Sequence, residues 1–104
     1  MACRTVSLRA VSFIPLIGWL AGCGPVTYAL DARKAEDIVA QARAENADYF
    51  APYELYFAEA QLNKAREEAA EGHYEDAVEM VTVAEAYGRR ALERSARPGE
   101  RSQR

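Results

Sequence analysis

Small and apolar residues recur at intervals of three and four along most of this chain, and this spacing limits the fold more than any other feature. In the central segment the recurring positions are Leu55, Ala58, Leu62, Ala65 and Ala69. Residues spaced in this way share one face of an α-helix, whereas a β-strand would show alternation. The intervening residues are mainly good helix formers, with few β-branched runs. The pattern therefore predicts an all-α fold.

Breaks in this spacing divide residues 28–97 into three predicted helices. We expect these helices over residues 28–44, 52–71 and 74–97. The first break is the stretch 46–51, and Pro52 after it is favourable as a first helical residue. Gly72-His73 and Pro98-Gly99 are typical of helix ends. The predicted inward positions of the outer two helices are Ala32, Ala35, Val39 and Ala42 in the first, and Tyr74, Ala77, Val81, Ala84 and Gly88 in the third.

Short connections make consecutive helices antiparallel neighbours. We therefore expect a small antiparallel three-helix bundle or αα-hairpin array over residues 28–97, with the second helix in the middle as its packing centre. Residues 72–77 resemble the second half of a tetratricopeptide repeat (TPR). The first half of that pattern is missing, so the resemblance implies a hairpin that is TPR-like in part and no solenoid.

The residues before Cys23 have the parts of a secretory signal, with Arg4 and Arg9 ahead of an uncharged apolar stretch. The tetrapeptide Leu20-Ala21-Gly22-Cys23 resembles the lipobox of bacterial lipoproteins. In that family the Cys sulfur receives a diacylglycerol and the chain is cut before the Cys. The resemblance implies a signal peptide over residues 1–22, cleaved after Gly22, and a lipid on Cys23. Residues 23–27 would be a lipidated tether, where Gly and Pro disfavour a helix.

An uncleaved membrane anchor is the alternative interpretation of the same segment. Residues 10–30 carry no charge and are nominally long enough to span a bilayer. Proline and glycine interrupt them, and the continuous apolar part is only about ten residues long, which is typical of a signal. We therefore favour cleavage. In lipoproteins an Asp after the lipidated Cys favours the inner membrane; Gly24 stands there instead, which implies the periplasmic face of the outer membrane.

Composition argues against several classes of function. His73 is the only histidine, and the cleaved chain would have no free thiol, so we predict no metal site, no cofactor and no Cys/His or Ser/His/Asp catalytic set. The carboxylates follow helical spacing, which is typical of a solvated face. We expect no enzyme, and an exposed His73 in a turn. The chain before its last sixteen residues is acidic, which argues against nucleic-acid binding.

Two surplus apolar stripes form the candidate partner surface. They consist of Tyr53, Tyr56 and Phe57 in the second predicted helix and Met80, Val83 and Tyr87 in the third. Tyr53, Tyr56 and Phe57 lie on the side of the second predicted helix opposite the face formed by Leu55 and Leu62. Two interpretations remain open: these side chains fill contacts between the helices, or they form an interface with a partner or a second copy of the chain.

A longer resemblance begins at the turn before the second predicted helix. Residues 49–55, the helical stretch 58–67 and residues 74–77 are similar to the small bacterial lipoproteins of the domain-of-unknown-function 4398 family. About residues 26–95 are covered, and Ala51-Pro52-Tyr53-Glu54-Leu55 is the most specific part. The resemblance implies an α-helical periplasmic module, sometimes associated with OmpA-like proteins that bind peptidoglycan, and it supplies no catalytic residues.

The C-terminal end is basic, in contrast to the rest of the chain. Its arginines are Arg89, Arg90, Arg94, Arg97, Arg101 and Arg104. A helix macrodipole favours basic residues in the last turn. Arg101 and Arg104 lie beyond Pro98-Gly99, in a segment 98–104 that we expect to be a disordered basic tail. For these two we expect contact with an anionic surface such as peptidoglycan, lipid phosphates or an acidic protein.

These patterns predict a lipid-anchored periplasmic scaffold or adaptor of the bacterial outer membrane. Its expected partners are an OmpA-like or other envelope protein, or a second copy of itself. The alternative is a free secreted or ligand-binding helical subunit of an envelope complex. A ligand-binding subunit would require a polar or charged residue on an inward face, and we predict none.

Overall fold

The computed structural model describes residues 23–97, and every regular element within them is a helix. The elements are α1 (Cys23–Ala44), α2 (Ala47–Phe50), α3 (Pro52–Ala70) and α4 (Tyr74–Ala96). The all-α prediction is confirmed. The predicted signal peptide, with Leu20, Ala21 and Gly22, and the predicted tail 98–104 lie outside the described residues. Among the helices described, none has the length and apolarity needed to cross a membrane.

The start of α1 corrects the prediction of a non-helical tether over residues 23–27. α1 begins at Cys23. Pro25 fits there because the amides of the first turn have no partner within the helix, so nothing is lost when one is missing. The Thr27 hydroxyl donates to the Cys23 carbonyl over 2.9 Å. Gly24 lies against Tyr74, and a Cβ on Gly24 would be 3.4 Å from the Tyr74 Cβ. Cys23 therefore belongs to the domain, with no spacer between them.

The break predicted over residues 46–51 contains a single helical turn, α2. Asn46 precedes it with φ 61°, a left-handed conformation that asparagine tolerates better than most residues. Its carbonyl accepts the amides of Tyr49 and Phe50 at 3.0 and 3.1 Å. The chain then enters α3 with Pro52 in its first turn, as predicted. The buried Ala47 and Ala51 attach this connection to the core.

The turn between α3 and α4 is a Schellman motif. The His73 amide donates to the Glu68 carbonyl at 2.9 Å, and the Gly72 amide donates to the Ala69 carbonyl at 3.1 Å. Gly72 has φ +88°, which glycine adopts without strain. The helix end predicted at Gly72-His73 is therefore confirmed, and this turn folds α4 back along α3.

The core consists mainly of alanine, and the predicted inward faces are largely confirmed. Of the predicted positions, Tyr74 and Ala69 are half-buried and all the others are buried. Leu55 and Val81 are the largest fully buried side chains among residues 23–97. Because so few large side chains are present, close approach of the helix backbones has to supply much of the contact.

Helix α4 is the packing centre, and the prediction that the middle helix α3 has this role is wrong. α4 packs along both α1 and α3, whereas α1 and α3 contact each other far less. The physical reason is the close approach that Gly88 allows, since a Cβ there would lie 3.1 Å from the Cγ2 atoms of Ile38 and Val39. α4 therefore packs its small residues against α1 and its other side against α3.

Ion pairs between the long helices show their relative directions. These pairs are Glu36–Arg66 and Arg43–Glu59 between α1 and α3, Glu54–Arg94 between α3 and α4, and Lys34–Glu85 between α1 and α4. Residue numbers rise on α1 as they fall on α3, so these two helices are antiparallel. α3 and α4 are antiparallel, because Glu54 near the start of α3 pairs with Arg94 near the end of α4. α1 and α4 are parallel, because Gly24 lies against Tyr74 at their starts and Ile38 lies near Gly88 further along both helices.

Candidate functional site

Three aromatic rings and one arginine meet where the start of α3 lies beside the second half of α4. The Phe57 and Tyr87 ring centroids are 4.3 Å apart, and Tyr53 lies 5.9 Å from Phe57 and 6.3 Å from Tyr87. The Arg90 guanidinium lies 4.9 Å from the Tyr87 ring centroid, a cation–π contact. Tyr53 and Phe57 are four residues apart, so α3 presents them on one side.

The rings of this cluster differ in how deeply they are buried. Phe57 and Tyr87 are half-buried and fill the contact between α3 and α4. Tyr53 is 65% exposed, so most of its ring is open to solvent. Tyr53 and Phe57 lean toward α4, not directly away from the core as their spacing suggested. The structure therefore brings three of the six predicted residues into one cluster.

Met80 and Val83 continue this apolar region along α4. They line a shallow pocket of about 280 Å³ with Gln61 of α3, and its rim is acidic, with Glu68, Asp76 and Glu79. We call the residues Tyr53, Phe57, Met80, Val83 and Tyr87 the α3–α4 surface. It has Arg90 at one end and carboxylates at the other, so a partner would meet an apolar strip with opposite charges at its two ends.

Tyr56 does not belong to the α3–α4 surface. It is 54% exposed and lies on the side of α3 that faces Arg43 of α1. The hydrogen bond and ion pair with Glu59 raise the pKa of the Arg43 guanidinium, so this side chain stays charged. The predicted set of aromatic residues is thus divided between two sides of α3.

Glu54 is a buried charge that the sequence analysis missed. Its carboxylate pairs with Arg94 of α4, and its side chain is only 8% exposed. The expectation of no charged residue on an inward face is therefore wrong. A signal was available: Glu54 precedes Ala58 and Leu62 at intervals of four, which places it on the inward face of α3.

His73 is exposed in the turn, as predicted, and it has a specific partner. Its Nδ1 lies 3.0 Å from Glu68 Oε2 and 3.6 Å from Glu71 Oε2. The hydrogen bond to Glu68 raises the pKa of His73, and hydrogen bonds from Lys64 and then His73 lower the pKa of Glu68. Within residues 23–97, Glu68, Glu71 and His73 are the group that could hold a metal ion, with ligand atoms within 4.8 Å of one another. Lys64, 3.0 Å from Glu68, already supplies a positive charge there.

A second groove lies between α1 and α3 on the side of the molecule away from the aromatic cluster. Val39 and Leu62 line it, and the Arg43–Glu59 and Glu36–Arg66 pairs cross it. Its volume is about 460 Å³. The basic and acidic groups neutralise each other in pairs, so the groove shows no excess charge for a ligand.

The described residues thus form an all-helical domain with an exposed Cys23 at its first turn and an apolar α3–α4 surface. The family model described as "Domain of unknown function (DUF4398)" matches residues 31–104, and the chain belongs to this family. The family resemblance expected from residues 49–77 is confirmed, although the match starts inside α1 and does not include Cys23. No curated protein and no solved structure matches the chain significantly.

Proposed function

We propose that this protein is a lipid-anchored adaptor on the periplasmic face of the bacterial outer membrane and acts by binding other proteins. The observation that carries the proposal is the tetrapeptide Leu20-Ala21-Gly22-Cys23 directly before a helical domain. Cys23 is exposed in the folded domain, so a lipid on its sulfur would disturb no core contact. We also propose that this adaptor has no enzymatic activity.

The anchor gains its strength from the number of acyl chains. Burial of each CH₂ contributes about 0.8 kcal/mol, so one chain holds a protein only reversibly and several chains hold it stably. Full acylation of Cys23, with two chains on the sulfur-linked glycerol and one on the new amine, would make release negligible. An adaptor of this kind would remain at the membrane while its partner exchanges.

The helices would serve as a rigid support for the partner surface. We infer a small antiparallel three-helix bundle in which the α3–α4 hairpin is TPR-like. The Schellman turn at Gly72 and the buried contacts of α4 support this interpretation, because they hold α3 and α4 in a defined register. The partner would then bind across the two helices at the α3–α4 surface, with the exposed Tyr53 as its first contact.

The expected partner is an OmpA-like or other envelope protein, and self-association through the same surface is the other outcome. A ligand-binding subunit is less well supported. Glu54 is the buried carboxylate of residues 23–97, and Arg94 neutralises it within the domain. Without several polar groups converging on an inward pocket, a small ligand would have little to recognise.

Mass spectrometry and cell fractionation test the anchor. We expect the native protein to start at Cys23 and to carry acyl chains. The Cys23→Ser variant should leave the membrane fraction, whereas Cys3→Ser, the matched control in the predicted signal, should remain there. A native protein that keeps Met1, or an unmodified Cys23 in a membrane-free pool, would contradict the proposal.

A pull-down with the lipidated protein tests the partner surface. Tyr53→Ala should reduce recovery of the partner. Tyr49→Ala is the matched control, because Tyr49 is 79% exposed and contacts Phe50 outside the α3–α4 surface. Equal recovery with the two variants would show that the partner binds elsewhere. Size-exclusion chromatography of both variants would detect self-association through Tyr53.

The arginines of the tail are the proposed contact with peptidoglycan or another anionic surface. A variant without residues 98–104 should sediment less with cell walls at low salt, and the difference should shrink at physiological salt because of screening. Circular dichroism should show unchanged helicity. Equal sedimentation of both proteins at low salt would eliminate the tail as a binding element.

A further inference from the structure

The outer face of the first two turns of α1 is unusually apolar for an exposed surface. Val26 is 60% exposed and Leu30 is 66% exposed. Cys23, at the start of the same helix, is also exposed. Neither the helical core nor the α3–α4 surface uses these side chains, so they require a separate explanation.

Helix geometry places these three residues on one line. Cys23, Val26 and Leu30 follow the spacing i, i+3, i+7, which brings them to the same side of α1. The buried residues of α1, such as Ala35 and Val39, lie on the opposite side, toward α4. With a rise of about 1.5 Å per residue, the strip from Cys23 to Leu30 is about 10 Å long.

The apolar exposure is confined to the end of α1 that carries Cys23. Further along the same outer side of the helix the large exposed side chains are polar, including Arg33, Asp37 and Gln41. Arg33 comes first, one turn after Leu30, where it would meet lipid phosphates if Val26 and Leu30 were at the membrane surface. The polarity therefore changes along the helix as it does across a membrane interface.

We propose that Val26 and Leu30 insert into the bilayer surface beside the lipid on Cys23, so that the start of α1 lies on the membrane. This inference rests on the proposed lipid anchor. Because α1 begins at Cys23, no spacer separates the acyl chains from the domain, and the next turn of the helix lies only about 5 Å further on. A flexible tether would let the domain move away from the membrane, but a helix that starts at the anchor keeps this face close to it.

The proposed contact also orients the domain. On α4, Glu85 faces α1 through its pair with Lys34, and Val83 and Tyr87 flank Glu85 two residues away on either side. On a helix, residues two apart point in widely different directions, so these two lie on the side of α4 away from α1. With the outer side of the start of α1 on the membrane, the α3–α4 surface would therefore lie on the far side of α4 and stay open to a partner.

Fluorescence of single labelled cysteines tests the contact. The variants Val26→Cys, Leu30→Cys and Ala44→Cys would be made in the full-length gene, processed in cells, labelled with an environment-sensitive dye and reconstituted into phosphatidylethanolamine–phosphatidylglycerol vesicles. Acylated Cys23 does not react with the dye, so each protein carries one label. Ala44 is the matched control: it lies eighteen residues after Val26, which is five full turns on the same line and about 27 Å along the helix.

We expect a blue-shifted emission and quenching by nitroxide lipids at positions 26 and 30, with the label at 44 unquenched and emitting as in water. Mass spectrometry of the same samples reports the lipid on Cys23. An unmodified Cys23 would overturn both the anchor and this inference. Acylated protein with water-like, unquenched labels at 26 and 30 would overturn the membrane contact alone. Protection at these positions without quenching by nitroxide lipids would show that a second copy covers the strip, and it would also overturn the proposal.

Discussion

The two interfaces of α4 reach close packing by opposite means. Toward α1, α4 presents small residues, and Gly88 lets the backbones approach until the Cγ2 atoms of Ile38 and Val39 lie 3.1 Å from the point where a Cβ would be. Toward α3, larger groups meet: Leu55 is fully buried, the Phe57 ring contacts the Tyr87 ring, and Glu54 pairs with Arg94. The α1–α4 interface depends on small side chains, whereas the α3–α4 interface depends on large ones.

This difference predicts different failures for the two interfaces. Removing volume at the α3 side leaves a cavity whose lining loses both hydrophobic and dispersion contacts. Adding volume at the α1 side forces two backbones apart, which costs energy through strain. In a domain of this size the core supplies only a small net stability, so either change can unfold a large fraction of the molecules.

Truncation of a core leucine should have the largest effect. Leu55 is fully buried, so Leu55→Ala should lower the free energy of unfolding by about 3–5 kcal/mol. Leu62 also lines the groove between α1 and α3, where neighbouring side chains can partly fill the space. For Leu62→Ala we therefore expect a smaller loss, about 2–4 kcal/mol. Urea unfolding followed by circular dichroism measures both values. A midpoint unchanged from the parent protein would mean that the α3 face is assigned incorrectly.

Overpacking at Gly88 should have the second-largest effect on the stability of the domain. A Cβ at this position would already lie 3.1 Å from two methyl groups, so Gly88→Val should destabilise the domain by about 1–3 kcal/mol. Gly24→Ala is the control, because the new Cβ would be at an ordinary distance of 3.4 Å from Tyr74. Thermal unfolding of the two variants compares them directly. A Gly88→Val protein as stable as the parent would show that α1 and α4 are not held at this distance.

Much of this arrangement could be predicted from the sequence, because the periodic small residues report which side of each helix is buried. The start of α3 could be predicted from Pro52, and the turn between α3 and α4 from Gly72, because the backbone preferences of these residues act locally. The start of α1 was missed for a related reason: Pro25 and Gly24 were interpreted as helix breakers, although the first helical turn accepts both.

The central position of α4 could not be deduced from chain order. Order along the chain suggests that the second helix lies in the middle, but the contact partners depend on which helix allows the closest approach. α4 has small residues toward α1 and the stripe of Met80, Val83 and Tyr87 toward α3, so it can pack on both. Two interpretations of that stripe were open, and the ring contacts show that Tyr87 supports the interface with α3.

Removal of the partner of Glu54 should have a moderate effect. Arg94→Ala leaves a nearly buried carboxylate without its cation, and we expect a loss of about 1–2 kcal/mol, less than for a fully buried pair because Arg94 is half exposed. Arg89→Ala is the control, since its partner Glu85 is on the same helix and surface pairs contribute little, at most about 0.5 kcal/mol. The double variant Arg94→Ala with Glu54→Gln should recover part of the loss. Equal stability of the two single variants would mean that Glu54 finds solvent or another donor.

The smallest effect should come from His73 at the turn that joins α3 to α4. Its pKa is raised above the ordinary value near 6.5 by the hydrogen bond to Glu68. A raised pKa in the folded state means that protonated His73 stabilises the fold, that this contribution is complete below about pH 6.5, and that it is lost as the pH rises through the raised pKa. Glu68, whose pKa is lowered, keeps its charge until the pH falls below its ordinary value near 4.5. The difference in melting temperature between the parent protein and His73→Gln should therefore be greatest at about pH 5–6 and should decline as the pH rises through the raised pKa of His73. Because Gly88 lies fifteen residues after His73, about 22 Å further along α4, the stability difference between Gly88→Val and the parent should show no such pH dependence. An NMR titration that places the imidazole pKa at or below 6.5 would show that Glu68 does not hold His73 in solution.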